Sequence, residues 1–202
     1  MSTHSQHAFQ FKITLRGTRP PIWRRIQVPN DFTFWDLHVA IQDSMGWSDY
    51  HLHEFETKDS RTASKVRIGI PNDDAFAWGE VTLPERELAI AEYFSQAALK
   101  VKYLYDFGDG WEHTITFEKT IPREVALDYP RCIGGKRACP PEDCGGPYGY
   151  QSFLEIIGDP EHYDYEQMME WIGGTFDAEH FDPDQIIFHE PEQRWKSVFK
   201  RQ

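Results

Sequence analysis

Three stretches of alternating side chains constrain the fold of this chain more than any other feature. Every second residue is apolar in residues 9–15. Val101, Tyr103 and Tyr105 alternate in the same way in residues 100–106, as do His113, Ile115 and Phe117 in residues 112–118, and these two stretches flank a Gly- and Asp-rich turn. A period of two residues is typical of a strand with one buried face. Residues 16–21 form a turn signal before residues 22–28 resume an extended pattern, so the sequence predicts two β-hairpins.

One amphipathic helix is predicted between the hairpins. Thr33 and Asp36 have the spacing of a capping box, and Gly46 ends the helical run. Trp35 and Gln42 are expected to lie off the core-facing side. That side is predicted to carry Phe34, Leu37, Ile41 and Met45.

The remaining elements complete a mixed architecture. Residues 52–57 and 64–70 are predicted strands, and Pro84 is expected to open a short helix through residue 94. No further strand is predicted after residue 118, and helices are expected at residues 150–157, 165–172 and 194–199. A hairpin, a helix and then more strands predict an α+β fold in which a sheet packs on a helix, in a β-grasp-like manner, with additional C-terminal helices.

Composition limits the classes of function. The chain has 202 residues, of which 40% are hydrophobic, enough for one full core. No apolar run approaches the roughly 18 residues that span a bilayer, and residues 1–10 lack the features of a signal peptide, so we expect a cytoplasmic protein without membrane contact. Three cysteines are an odd number, which favours reduced thiols or metal ligands over a disulfide framework.

The charge distribution limits the classes of binding partner. A net charge of -12 argues against nonspecific binding to a phosphate backbone. Residues 1–30 contain five basic and no acidic residues, whereas residues 161–193 contain ten acidic and no basic residues other than histidine. The two ends are expected to offset each other or to face water, and a local basic patch is the alternative. A protein partner is therefore favoured over nucleic acid.

The segment of residues 129–150 predicts a structural zinc site. It contains Cys132, Cys139 and Cys144 among closely spaced glycines and prolines, so one loop can turn the three thiols toward a common point. His162 is the nearest histidine that follows and is the first choice as fourth ligand. His51, His53 and His113 remain alternatives, and small buried thiols without metal are the competing interpretation.

A second group of polar residues lies in the turn of the second hairpin. Asp106, Asp109, Glu112 and His113 fall within eight residues. A tight hairpin turn is the favoured interpretation, and a binding or acid–base site that also uses His51 and His53 is the alternative. Arg24 and Arg25 are neighbours on a strand and point to opposite faces, so only one of them can face a shared ligand. Arg24 is the candidate, and solvent-facing charge on an edge hairpin is the favoured interpretation.

Five blocks of sequence, in this order, resemble a known family. They are RPPIWRRIQVP (19–29), TFWDLHVAIQDSMGW (33–47), HLHEF (51–55), YDFGDGWEHTI (105–115) and CPPEDCGGPYGY (139–150). The chain is similar to the family named after the third open reading frame of a root-inducing (Ri) plasmid. This resemblance implies one compact α+β domain over residues 8–190, with residues 1–7 and 191–202 as terminal extensions, and no established biochemical activity.

Two functional hypotheses follow. The first is a noncatalytic binding or accessory module of mobile-element origin, stapled by a structural zinc. The second is a metal-dependent hydrolytic enzyme that uses the turn from Asp106 to His113 and the strand with His51 and His53. Four protein ligands around one ion would favour the module, and histidines and carboxylates around an open position would favour the enzyme.

Overall fold

The computed structural model describes residues 6–58, 62, 64–71, 82–95 and 99–199. Residues 1–5 of the predicted N-terminal extension and residues 200–202 of the C-terminal one lie outside the described residues. Within the described part of the chain, no helix has the length and apolar character needed to cross a bilayer.

Both predicted hairpins are present. Strands β1 (His7–Leu15) and β2 (Trp23–Pro29) pair antiparallel, as do β6 (Lys100–Tyr105) and β7 (Trp111–Pro122). β7 also pairs antiparallel with β1, which joins the two hairpins into one sheet.

Four further strands extend this sheet on both sides. They are β3 (His53–Lys58), β4 (Lys65–Gly69), β5 (Thr82–Pro84) and β8 (Arg131–Lys136). The eight strands lie in the order β5-β4-β3-β6-β7-β1-β2-β8, and only the short β4–β5 pair is parallel. The described elements therefore form a mixed α+β fold, as predicted, whereas the β-grasp-like description stays a prediction.

Helix α1 (Phe34–Met45) begins and ends at the capping residues that the sequence predicts. The Thr33 hydroxyl accepts a hydrogen bond from the Asp36 amide, and the Asp36 carboxylate accepts one from the Thr33 amide, which completes the capping box. Gly46 has a φ of 96°, a left-handed conformation that glycine adopts without steric cost, and its amide donates to the Gln42 carbonyl.

Both sides of α1 are buried. The predicted core residues lie against the sheet, and Trp35 lies against helix α4 (Pro191–Phe199), where its indole nitrogen donates to the Pro191 carbonyl at 2.9 Å. Gln42 was expected off the core-facing side. It instead reaches the sheet and donates to the Tyr103 hydroxyl on β6 at 2.9 Å, while its Oε1 is buried without a partner.

The segment after residue 118 departs most from prediction. β8 pairs with β2 within the Gly- and Pro-rich segment that was expected to be a loop. Hydrogen bonds to the otherwise open edge of β2 outweigh the low strand propensity of the glycines in β8.

The predicted helices also differ in their bounds. Pro84 ends β5 instead of opening a helix, and residues 90–92 form a 3₁₀ turn. α2 (Gly146–Ile157) and α4 start earlier than predicted, while α3 (Tyr165–Trp171) lies where it was expected.

His113 is part of the hydrophobic core. Its side chain is wholly buried next to the rings of Trp47 and Tyr103, and its Nδ1 lies 3.1 Å from the Trp111 carbonyl, to which it donates. Burial lowers the pKa of His113 to about 3, so the imidazole is neutral near pH 7. This histidine fills a core position on β7.

The packing of α1 predicts the effect of a core truncation. Ile41 is wholly buried, so Ile41→Ala should lower the free energy of unfolding by about 2–5 kcal/mol, through lost apolar transfer and the cavity left behind. Leu52→Ala is the control, because Leu52 is 57% exposed and should change stability little. Urea unfolding of both variants measures this, and a near-neutral Ile41→Ala would contradict the placement of α1.

The buried His113 predicts a pH dependence. Its pKa is about 3 in the folded protein against an ordinary 6.5, so the unfolded chain binds a proton first as pH falls. The contribution of His113 is complete above pH 6.5 and is lost toward pH 3, by at most about 1.4 kcal/mol per pH unit.

Comparison with His113→Gln isolates this contribution. The stability advantage of the wild-type protein over the variant, from urea unfolding at about pH 7, 6 and 5, should shrink as the pH falls. An advantage that is constant with pH would show that His113 does not titrate in this way.

Candidate functional site

Six buried polar side chains form an inner cluster between α1 and the sheet. They come from α1, the loop after it, β3, the turn after β5, and β6. None of them is more than 6% exposed. The members of the inner cluster are His38, Gln42, Asp49, His53, Glu85 and Tyr103.

Local backbone structure places the residues of the loop after α1. Gly46 ends the helix, and Asp49 follows with a φ of 61°, a left-handed conformation that aspartate adopts more readily than most residues. The chain then enters β3 at His53, which pairs with Tyr105 of β6. Asp49 and His53 thereby both contact His38 of α1.

A chain of hydrogen bonds runs through the inner cluster. Gln42 Nε2 donates to the Tyr103 hydroxyl, which lies 2.8 Å from His38 Nδ1, and His38 Nε2 lies 2.9 Å from Asp49 Oδ1. Because a carboxylate only accepts, His38 Nε2 carries a proton and donates it to Asp49. A neutral His38 then accepts from the Tyr103 hydroxyl through Nδ1.

Electrostatics favour a neutral His38. Burial lowers the pKa of His38, and the neighbouring His53 lowers it further. The two imidazole rings stack with centroids 3.4 Å apart and planes 7° apart, a separation at which two positive charges would repel strongly. Burial also holds the pKa of Tyr103 well above its ordinary value, so its hydroxyl remains a donor.

The carboxylates of the inner cluster are only half satisfied. His53 Nε2 lies 2.6 Å from Glu85 Oε2, whereas Glu85 Oε1 and Asp49 Oδ2 are buried without a hydrogen-bond partner. Two carboxylates in the interior of a protein are costly unless cationic partners offset them, and two imidazoles stacked this closely cannot both carry a charge.

The inner cluster contains a set of atoms that suits a metal ion. One ligand atom each from His38, Asp49 and His53 lie within 4.8 Å of one another. Imidazole nitrogens together with a carboxylate oxygen favour Zn²⁺ and related first-row divalent ions. The donor set and the unpartnered oxygens both fit a divalent cation.

A second group, the outer cluster, lies at the surface and consists of His51, Asp106, Glu142 and Asp143. His51 Nε2 is 3.1 Å from Asp143 Oδ1, 3.7 Å from Asp106 Oδ2 and 4.0 Å from Glu142 Oε2. The Asp143 side chain is 68% exposed, so solvent reaches this cluster. His51, Asp106 and Asp143 also form a set of ligand atoms within 4.8 Å.

Three loops assemble the outer cluster. The Glu142 carboxylate accepts hydrogen bonds from the Ser48 amide at 2.8 Å and from the Tyr105 hydroxyl at 3.2 Å. Asp106 Oδ1 accepts from the Gly108 amide at 2.9 Å, which leaves Oδ2 for His51. The loop after α1, the β6–β7 turn and the segment after β8 therefore meet at this point.

The residues of the β6–β7 turn do not form one site. His51 and Asp106, both predicted candidates, meet in the outer cluster. Asp109 Oδ2 instead accepts from the Gly145 amide at 3.0 Å, and Glu112 pairs with Lys102 at 2.9 Å on the exposed face of the hairpin. A side chain at Gly146 would meet the Asp109 carbonyl at 2.2 Å, so this contact requires glycine.

Arg24 was predicted as a binding residue, and its donors are used within the fold. Its side chain is 3% exposed and donates to the carbonyls of Ser44 at 2.8 Å, Lys136 at 3.1 Å and Trp23. Its guanidinium also lies 4.3 Å from the centre of the Phe181 ring. Arg24 thus links β2 to the end of α1 and to β8.

The structure does not bring the predicted zinc ligands together. In the described part of the chain, the sets of ligand atoms within 4.8 Å of one another include no cysteine. All three cysteines are free, and burial raises the pKa of each thiol, that of Cys144 to about 12, so they are protonated. Cys132 is fixed on β8, where its thiol contacts the Gly134 carbonyl, whereas Cys139 and Cys144 lie in the following loop.

His162, the predicted fourth ligand, has a local role. Its Nδ1 accepts a hydrogen bond from the Asp164 amide at 3.1 Å, in the turn before α3. Its ring stacks on that of Tyr163 at 4.6 Å. This turn accounts for the position of His162 without a metal.

Sequence reasoning missed His38, Asp49, Glu85, Glu142 and Asp143. Two signals were available for the inner cluster. His38 and Gln42 are four residues apart on one side of an otherwise apolar helix, and Asp49 alternates with His51 and His53. Glu85 gave no such signal, because only the sheet brings it to His53.

Known proteins are similar to this chain in sequence, and one of them also in its solved structure. An uncharacterized protein of Sinorhizobium fredii, y4hQ, is 38% identical over 167 residues, which cover 82% of this chain and 81% of that protein. The crystal structure of a protein of unknown function from Methanosarcina mazei, MM3350, superimposes with a TM-score of 0.85 at 42% identity and covers 91% of this chain and 99% of that one.

A family model assigns the chain. The model described as plasmid pRiA4b ORF-3-like protein matches residues 7–185, a range that contains both clusters. This agrees with the resemblance carried by the five sequence blocks. The chain therefore belongs to the plasmid pRiA4b ORF-3-like family.

Proposed function

We propose that this protein is a noncatalytic binding module whose fold is stapled by a divalent metal ion in the inner cluster. His38, Asp49 and His53 are the ligands, and Zn²⁺ is the first choice of ion. The observation that carries this proposal is the pair of buried, unpartnered carboxylate oxygens, Asp49 Oδ2 and Glu85 Oε1.

Charge supports a divalent ion. The stacked rings of His38 and His53 cannot both be protonated, so they do not offset the charges of both Asp49 and Glu85, whereas one divalent cation does. The alternative is protonation of a carboxylate or of a histidine that burial keeps neutral, which leaves the orphan oxygens without a partner.

The partners behind the ligands support the same assignment. Glu85 accepts from His53 Nε2, which leaves His53 Nδ1 for an ion. An ion at His38 Nε2 takes the place of the proton that this atom shares with Asp49, and His38 Nδ1 then carries the proton and donates to the Tyr103 hydroxyl. Metal-binding histidines typically engage a carboxylate or another polar group through their second nitrogen, which fixes the ring and raises its basicity.

Burial supports a structural role for the ion. The proposed ligands are at most 6% exposed, so no substrate reaches them. They lie on α1, the loop after it and β3, and an ion between them cross-links these three elements. The metal role first expected for the cysteines is thus assigned to histidines and a carboxylate.

The wider setting of the proposal rests on simpler observations. The family description names a plasmid reading frame, which supports a mobile-element origin. The three free cysteines fit a reducing compartment such as the cytoplasm. The net charge of -12 favours a protein partner over a long nucleic acid.

Metal removal tests the staple. Protein purified without chelator should contain about one equivalent of a first-row divalent ion, and chelation should lower its melting temperature. Adding Zn²⁺ back at about 100 times its dissociation constant should restore about 2.7 kcal/mol.

Two buried histidines offer a matched comparison. His38→Gln should abolish the Zn²⁺-dependent gain, whereas His113→Gln should retain it, because both side chains are wholly buried but only His38 belongs to the inner cluster. Wild-type protein that binds no divalent ion, or equal gains in both variants, would refute the staple.

The outer cluster favours a second candidate, a metal-dependent hydrolytic enzyme. His51 lies within 4.0 Å of three carboxylates, and the cluster is open to solvent. Carboxylates with one imidazole suit Mn²⁺ or Zn²⁺, and solvent access leaves a position for water or substrate.

Asp143→Asn separates the two candidates. Under the leading proposal we expect no Mn²⁺-dependent hydrolysis of p-nitrophenyl ester or phosphodiester probes by the wild-type protein. We also expect a stability change within about 0.5 kcal/mol, because Asp143 is an exposed side chain whose conformation asparagine tolerates. Turnover that Asp143→Asn removes and Glu112→Gln retains would establish the enzyme instead.

A further inference from the structure

A cavity of about 820 Å³ lies between the β1–β2 turn and the first turns of α2. The residues of the turn that line it include Arg16, Arg19 and Pro21, and those of α2 include Tyr148, Tyr150 and Gln151. This arginine pocket belongs to neither cluster described above.

The arginine pocket carries positive charge, although the protein as a whole is acidic. Arg16 and Arg19 line it, and no acidic residue does. Within the described residues, the guanidinium groups of both make no ion pair. Other arginines of the fold are used, since Arg25 pairs with Glu118 and Arg137 with Glu179. Two free guanidinium groups in a chain of net charge -12 indicate a site for an anion.

Close packing fixes the turn that carries the two arginines. Gly17 has a φ of 78°, and a side chain there would lie 2.9 Å from Pro147, so only glycine allows the turn to rest on α2. α2 starts at this contact, and the Gly145 amide at its N-terminus already donates to the Asp109 carboxylate. The positive charge of the pocket therefore comes from the two arginines.

Tyr150 contributes to the wall of the same pocket and is 2% exposed. The charged groups that act on its hydroxyl are Arg137 and Glu179 rather than the two arginines of the turn. The anion is therefore assigned to Arg16 and Arg19 alone.

The mouth of the pocket presents an aromatic ring. Tyr148 is 88% exposed on the first turn of α2. Exposed tyrosines next to basic residues serve as stacking platforms for nucleobases. An anion with an aromatic ring attached satisfies more of this pocket than a simple anion does.

We propose that the arginine pocket binds a nucleotide, with the phosphate at Arg16 and Arg19 and the base on Tyr148. The phosphate matches the planar donors of two guanidinium groups. The net charge of -12 disfavours a long strand, which needs many cations along its path, so a single phosphate and base are the ligand. The site is independent of the metal staple.

Calorimetric titration of the full chain with three probes tests this proposal. The probes are inorganic phosphate, a set of nucleoside monophosphates, and a single-stranded oligonucleotide of about ten residues. The monophosphates should bind more tightly than phosphate. An oligonucleotide that binds no more tightly than the monophosphate identifies a free nucleotide as the ligand, whereas affinity that rises with strand length identifies a strand.

Charge-matched variants locate the site. Arg16→Gln/Arg19→Gln should weaken binding about tenfold or more, the loss expected for one charge-assisted hydrogen bond. Lys100→Gln/Lys119→Gln removes the same charge from exposed positions outside the pocket and should have little effect. Tyr148→Ala should weaken monophosphate binding and leave phosphate binding unchanged.

Two results would overturn the proposal. One is the absence of monophosphate binding to the wild-type protein. The other is equal weakening by the arginine and the lysine double variants, which would indicate general charge attraction. All of the substituted side chains are exposed, and all except that of Tyr148 are charged. Melting curves of each variant check that it is folded.

Discussion

The pairing of β7 with β1 is the constraint on which the rest of the structure depends. It joins residues about a hundred positions apart, in a register that sets Leu15 opposite His113 and His7 opposite Pro122. Through it, the hairpin that carries Tyr103, Tyr105 and Asp106 becomes the centre of the sheet. Each of these three side chains then contacts a cluster, so both clusters depend on a pairing that is distant in sequence.

Local features of the fold were predictable, and distant ones were not. The hairpins follow from alternation, and α1 follows from its capping box and Gly46, because hydrogen bonds between near neighbours determine them. β8 was missed because its glycines predict a loop, and only the open edge of β2 makes a strand favourable there. The cysteine site was predicted from spacing alone, and the groups of ligand atoms within 4.8 Å in the described residues include none of its thiols.

The candidate sites show the same limit. His51, His53 and Asp106 were selected from the sequence, because histidines and carboxylates stand out as ligands. Their grouping was not predicted, since His53 meets Glu85 across 32 positions and His38 meets Tyr103 across 65. One short segment from Asp49 to His53 serves both clusters, because it is not a regular strand: Asp49 has a φ of 61° and β3 begins only at His53, so His51 is not held on the face that Asp49 and His53 share.

The cover that α4 places over α1 has a consequence for the boundaries of the domain. Asp43 is buried, and its carboxylate is satisfied by His189 and Arg194, while Trp35 lies under Trp195. These three covering residues lie beyond residue 185, where the family match ends. A chain cut at that point would expose an indole ring and leave a buried carboxylate without its cationic partner. The final helix therefore contributes packing and charge to the buried face of α1, although the family match on this chain ends before it.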